Sequence, residues 1–308
     1  MGAEKRKVHT ISTVEYRIRS MKERDLPKVN ALLDTEKWIM EKAYLDCAFK
    51  TDPRGFVVAE SKNEEIIGFV GTLSLSKTLK AFGLWVVRED LRSTDVGSRL
   101  LEEINICPET KIGGFHFPHM QRTFELFTGP MSQSYTTWYN YGKIDKNVSL
   151  ENQQIFQSKE SAVILPLQHV SILDVIQYDT QIHKIPRESY ITNWISHANS
   201  MTYVAMKDDA VCGYAVLRTQ DTYTTIAPLY ADTEYIANEL FIKLTSDVPD
   251  KAIIGFTSPL ENNAATKLSV RNRMMKKGMP MIMVFNQEPI TVDIHRVYAL
   301  ATTSLGLC

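Results

Sequence analysis

Apolar positions along the chain switch repeatedly between a spacing of two and a spacing of three to four, the mark of strands and helices in alternation. Residues 16–19 alternate as a short strand. The acidic Glu23 and Asp25 with Pro27 then open a helix whose Leu26, Val29, Leu32 and Leu33 share one face. A second helix is expected over 38–48. Residues 55–60 and 66–75 are β-rich runs separated by the polar stretch 61–65, a hairpin signature, and a third run covers 78–87. That run passes through a small polar turn into a helical stretch beginning near Val96. Downstream, 123–127 reads as a strand and 133–141 as a helix closed by Gly142.

The second half repeats this order in outline, which fixes the organisation of the chain. Residues 163–167 form a strand followed by a helical region with Val175, Ile176 and Tyr178. The runs 202–206 and 211–217, separated by the polar Lys207-Asp208-Asp209, overlay the hairpin of the first half, and Gly213 falls where Gly68 does. A strand over 224–230, a helix over 234–245, a strand over 252–256 and a helix over 262–277 complete the copy. The polar stretch 145–161 is the expected linker. The fold class predicted is α/β, as two tandem domains over 1–150 and 161–308, consistent with 308 residues at roughly 100–200 per domain.

The turn after Val87 carries the most chemistry. A strand that enters a helix through small residues presents unpaired backbone N–H groups, with the helix dipole behind them, to an anion. Arg92, Gly97 and the spacing between them resemble the acetyl-CoA diphosphate loop of the GNAT N-acetyltransferase superfamily: Arg or Gln, two residues, Gly, one residue, then Gly or Ala. Asp95 stands at the first glycine position, and Glu89 and Leu91 replace the common Pro and Tyr of the preceding Val-x-Pro-x-Tyr-Arg. The resemblance extends over about 14–145. It implies that the main chain of Trp85, Val86 and Val87 pairs with the pantetheine arm. It implies further that the amides of Arg92, Ser93, Thr94, Asp95, Val96, Gly97 and Ser98 hold the diphosphate. The second half resembles the degenerate C-terminal copy of tandem members: its loop, 227–234, has no glycine and two acids, so acetyl-CoA is assigned to the first half. Asp95 is the difficulty, since a carboxylate about 4 Å from a phosphate costs about 4 kcal/mol at an effective dielectric near 20. Its other reading is a helix N-cap.

Acyl transfer needs an acid for the departing thiolate and a base or water path for the amine. The resemblance places a Tyr four residues before the closing Gly. Trp138 occupies that position, so Tyr139 is the candidate acid, Tyr141 a further option, and a core aromatic the alternative reading of both. Glu125, alternating with aromatics, is the candidate base, with His116 and His119 on its flank as lesser choices. Asp179 and Arg187 either border an interdomain cleft or form a surface pair. The methionines Met274, Met275, Met279, Met281 and Met283 pack core or line an adaptable pocket.

Composition narrows the rest. Lys+Arg of 35 against Asp+Glu of 36 gives no electrostatic hint of nucleic acid or an anionic membrane. The cysteines Cys47, Cys107, Cys212 and Cys308 are scattered, which argues against a disulfide framework or a metal site and favours the cytoplasm. The function expected is direct, acetyl-CoA-dependent, metal-free transfer to a small-molecule or peptide primary amine. The rival is a catalytically silent binding protein of the same fold.

Overall fold

The computed structural model describes residues 15–38, 42–104, 109–155, 162–185, 187–220 and 223–305. The basic leader, Cys107, Cys308 and the end of the expected linker lie outside them. The first half runs β1 (Tyr16–Ser20), α1 (Leu26–Thr35), α2 (Lys42–Thr51), β2 (Phe56–Ser61), β3 (Ile66–Ser74), β4 (Leu79–Val87), α3 (Val96–Glu103), β5 (Lys111–His116), α4 (Gln121–Thr128), β6 (Ser132–Lys143) and α5 (Lys146–Ile155). The second runs β7 (Val163–Pro166), α6 (Ile172–His183), α7 (Glu188–Ile195), β8 (Ser200–Lys207), β9 (Ala210–Gln220), β10 (Tyr223–Ala231), α8 (Glu234–Thr245), β11 (Ile253–Pro259), α9 (Asn263–Arg271), β12 (Met275–Phe285) and β13 (Val297–Ala299).

The α/β class and the repeat hold, and four local expectations change. Residues 123–127 lie in helix α4: a strand would put Phe124 and Leu126 on one face, but Phe124 is 7% and Leu126 63% exposed. Conversely, 133–141 belong to strand β6, where Tyr135 and Thr137 face inward at period two and β-prone aromatic and branched side chains prevail. The strand that precedes α4 is β5, hidden in the sequence by Gly113 and Gly114. Helix α9 stops at Arg271 and the methionine run becomes β12, whose Met279, Met281 and Met283 are spaced as a strand requires. The expected linker contains α5.

The strands form one sheet in the order β1-β2-β3-β4-β5-β12-β6-β11-β10-β9-β8-β7, with β13 added to β10. The halves exchange strands at its centre. β12, from the end of the chain, pairs with β5 (Met283 opposite Phe115) and with β6. β6, from the first half, pairs along its length with β11, from Thr137 opposite Pro259 to Lys143 opposite Ile253. Each half therefore closes its sheet with a strand of the other. One apolar core joins the halves through α1, α2, α6 and α7 on a single face. On the opposite face α3 and α4 cover the first half, and α8 and α9 the second.

Candidate acyl-transfer site

In the first half, β4 and β5 run parallel only over Leu79–Ala81 opposite Lys111–Gly113, and then separate. Beyond Ala81 no strand among the described residues pairs with β4 on that side. The register of β4 against β3 slips between Gly83 and Val86, where Leu84 adopts φ +54, a bulge that re-aims the main chain on that side. The slot leads to the start of α3. Its first helical bond is Arg99 N–H to the Asp95 carbonyl at 3.0 Å, so the amides of Val96, Gly97 and Ser98 precede any intrahelical bond. Trp85 lies against this turn, its indole N–H donating to the Gly97 carbonyl at 3.2 Å, and a Cβ on Gly97 would stand 3.2 Å from the indole ring. The glycine there is a matter of close approach.

Asp95 does not cap α3. Its carboxylate accepts the Tyr16 hydroxyl proton at 2.8 Å, and the Arg99 guanidinium stands 5.2 Å above the Tyr16 ring, so the charge is turned toward β1. Thr94 folds back on the Leu91 carbonyl at 2.7 Å, and Ser93 is exposed. Val86 and Val96 bury their side chains on opposite faces of the sheet. Arg92 donates to the Val87 carbonyl at 3.2 Å and pairs with Glu36, whose other oxygen accepts the Glu89 N–H at 3.0 Å. Glu36, at the end of α1, thus already offers a carboxylate to two donors of the turn. No sequence motif pointed to it.

The second half repeats the slot and closes it. β10 pairs with β11 only at Thr224 and Thr225 before the two diverge. Into the gap comes β13, with Leu229 opposite Ala299 and Tyr230 opposite Val297, and Leu300 N–H donates to the Thr257 carbonyl at 2.8 Å. Thr233 caps α8 by accepting the Ile236 N–H at 3.3 Å. Asp232 is engaged by the Tyr178 hydroxyl at 3.0 Å and by Arg296. Both the strand edge and the helix end are satisfied by the chain itself.

Between the halves lies a cavity of about 490 Å³. Tyr44 and Phe117 reach it from the first half, Trp194, the 225–227 stretch and Thr257 from the second, and Tyr139, Met279 and Met281 from the exchanged strands. The C-terminal segment 300–304 forms another wall. Ser304 on that wall abuts the head of the first-half slot, since a Cβ on Gly83 would fall 1.6 Å from its carbonyl oxygen.

Tyr139 therefore reaches the cavity from a strand rather than a helix, and the helical register that suggested it does not exist. Its ring packs over Gly255 of β11, where any Cβ would meet the hydroxyl at 2.0 Å. Trp138 and Tyr141 stand beneath Lys276 and Lys277, at 5.0 and 5.2 Å. Glu125 is not among the described lining of the cavity: it sits on α4 and accepts from the Gln121 side chain at 2.9 Å. His119 is exposed and stacks on Phe117, whereas His116 is 2% exposed, with Nδ1 2.8 Å from the Phe117 carbonyl and no partner on Nε2 among the described residues.

Asp179 and Arg187 are a pair, but neither at a cleft nor at the surface. They form two hydrogen bonds, of 2.8 and 2.7 Å, in the core, where the Tyr214 hydroxyl also donates to Asp179 at 2.6 Å. Burial opposes the charge of Asp179, yet the Arg187 guanidinium keeps its carboxyl below the usual range. Burial and the same guanidinium push the neighbouring His183 down to about 3, so it is neutral. Cys47 and Cys212 are buried thiols outside any disulfide, donating to the Asn193 and Ala205 carbonyls, each at 3.3 Å. Among the described residues no three His, Cys, Asp or Glu side chains group to hold a metal ion, and no helix is long and apolar enough to cross a membrane.

The acetyltransferase (GNAT) domain family matches residues 175–299, within the half whose slot is closed. Holothin acyltransferase of Pseudoalteromonas sp. (strain SANK 73390) is 22% identical over 284 residues, 90% of each chain. A proposed acetyltransferase of Pyrococcus horikoshii shares the fold with a TM-score of 0.75 at 13% identity, over 99% of this chain and 100% of that one. A tandem GNAT protein from the clavulanic acid biosynthesis pathway, solved without AcCoA, aligns with a TM-score of 0.60 at 10% identity, over 89% of this chain and all of that one.

Proposed function

We propose that this chain is a tandem GNAT acetyltransferase, a reading supported by its match to the GNAT domain family over residues 175–299 and its likeness to holothin acyltransferase, and that its first half binds acetyl-CoA and passes the acetyl group directly to a primary amine held in the central cavity. The observation that carries this reading is the contrast between the two slots. The edge of β4 that no described strand covers leads to the first turn of α3, where the Gly97 and Ser98 amides precede any intrahelical bond and the Val96 amide meets the Thr94 hydroxyl at 3.4 Å, whereas β10 is covered by β13 and α8 is capped. An extended pantetheine arm can add to a free strand edge, and a diphosphate suits the first turn of α3. When bound, acetyl-CoA supplies the acetyl group as a thioester. The amine nitrogen bonds to the acetyl carbon, the C–S bond breaks, and the sulfur takes a proton. Tyr139, on the cavity wall, is the group we assign to that proton; the described lining contains no cysteine for a covalent relay. Glu125 receives no role.

A second reading, a silent binding protein, is favoured by Glu36, which holds the turn's Arg92 and Glu89 donors. Titration calorimetry with acetyl-CoA, followed by thiol release with a panel of amines, separates the two. Ser98→Glu, which puts a carboxylate on the first turn of α3, is expected to weaken binding at least tenfold, about 1.4 kcal/mol. A carboxylate on the first turn of α8, Tyr235→Glu, is expected to leave it unchanged. No heat and no thiol from the native chain would leave the second reading standing.

A further inference from the structure

The cavity between the halves has an unusual charge pattern for a site that takes an amine. None of the described residues lining it is Asp, Glu or His. Its side-chain polar groups include the hydroxyls of Tyr44 and Tyr139, of Thr137, Thr225 and Thr257 and of the C-terminal segment 302–304, and the one ionised side chain on the described lining, Lys277, is a cation. A second cation stands behind the aromatic wall. The Arg218 guanidinium lies 3.6 Å from the centre of the Trp194 ring, with Arg218 itself 3% exposed. Trp194 is fixed in place by a 2.7 Å bond from its indole N–H to the Ala227 carbonyl, and Tyr44 meets it edge-on at 5.6 Å. Trp194 is thus held by Arg218, Tyr44 and the Ala227 carbonyl, and the charged side chains on the described lining and directly behind this ring are cations.

An alkylammonium fits this setting poorly. It would leave water without a carboxylate to meet it, a transfer that costs far more than burial of a neutral amine. It would also have to lose a proton where the described lining offers no carboxylate or imidazole. With an ordinary pKa near 10.4, an alkylamine is neutral in only about one molecule in a few thousand at pH 7. We propose that the acceptor is a flat amine already uncharged at neutral pH, of the arylamine or heteroarylamine class, held in this cavity with Trp194 in its wall. The proposal rests on the reading that this cavity holds the acceptor. Its nitrogen brings a free lone pair to the acetyl carbon. As the C–S bond breaks and the thiolate takes one proton, the nitrogen, made acidic by the attack, gives its own to water.

Aniline and benzylamine, alike in ring but the first neutral and the second cationic at pH 7, provide the test. Trp194 fluorescence, with Trp194→Phe as control, is expected to report aniline binding at least tenfold tighter than benzylamine at pH 7. With saturating acetyl-CoA, thiol release is expected to favour aniline by at least the same factor, and the benzylamine rate is expected to climb with pH while the aniline rate stays flat. Lys277→Glu is expected to narrow the preference at least threefold. Benzylamine binding as tightly as aniline at pH 7 overturns the proposal. Selective aniline binding without thiol release supports the cavity's preference and instead removes the transfer reading beneath it.

Discussion

Asp95 occupies the position that a phosphate loop least tolerates, and its side chain resolves the conflict by leaving. A carboxylate about 4 Å from a phosphate would cost about 4 kcal/mol, but this one is held by the Tyr16 hydroxyl at 2.8 Å with Arg99 beside it. On the proposed reading, the residue placed to compete with a phosphate is Glu36, which occupies the Arg92 guanidinium and the Glu89 amide. Glu36→Gln is therefore expected to tighten acetyl-CoA binding about tenfold by calorimetry, near 1.4 kcal/mol. Asp95→Asn is expected to change it less than threefold. The reverse ranking would mean that Asp95, not Glu36, faces the diphosphate. Tyr139 was reached in the sequence through a helical count that is wrong, and it lines the cavity for another reason: β6 places alternate side chains on alternate faces.

At the scale of elements, β1, β2 and the start of α1 are tied by one guanidinium. Arg19 pairs with Asp25 and with Glu60, each at 2.6 Å, and both carboxylates are at most 5% exposed. Arg19 holds the Glu60 carboxyl down to about 2 against the opposing effect of burial, with help from Arg17. Because the folded value lies below the ordinary 4.5, this contribution is complete above about pH 4.5 and is lost as pH falls toward 2. Arg19→Met leaves two buried carboxylates without their main partner and is expected to cost about 3 kcal/mol. Urea unfolding at pH 7 reads that loss. The same measurement repeated down to pH 3 is expected to give the variant a shallower acid dependence than the native chain.

At the scale of the whole molecule, the exchange of β6 and β12 makes the halves mutually dependent. Cut near residue 160, the first half keeps β6 without either of its partners, β11 and β12, and β5 without β12, and exposes both edges of β6 and one of β5. Residues 1–157 and 158–308, expressed apart, are expected to aggregate or remain unfolded by circular dichroism and size exclusion. Coexpressed, they are expected to form a one-to-one complex with the native spectrum. A soluble, folded first half on its own would remove the argument for interdependence.

Local patterning in the chain determined the alternation of strands and helices, the repeat, and the strand–turn–helix at Arg92–Gly97, because periodicity and turn chemistry are written in neighbouring residues. The α4 and β6 assignments failed where short aromatic segments satisfy both periods, and only burial decides between them. Long-range pairing was out of reach: that β12 completes the first half, that β13 fills the slot beside β10, and that Glu36 meets Arg92 depend on contacts between residues many tens of positions apart. The cavity and its cationic surroundings exist only once the two halves close over each other, since no segment of the sequence contains more than a few of its walls.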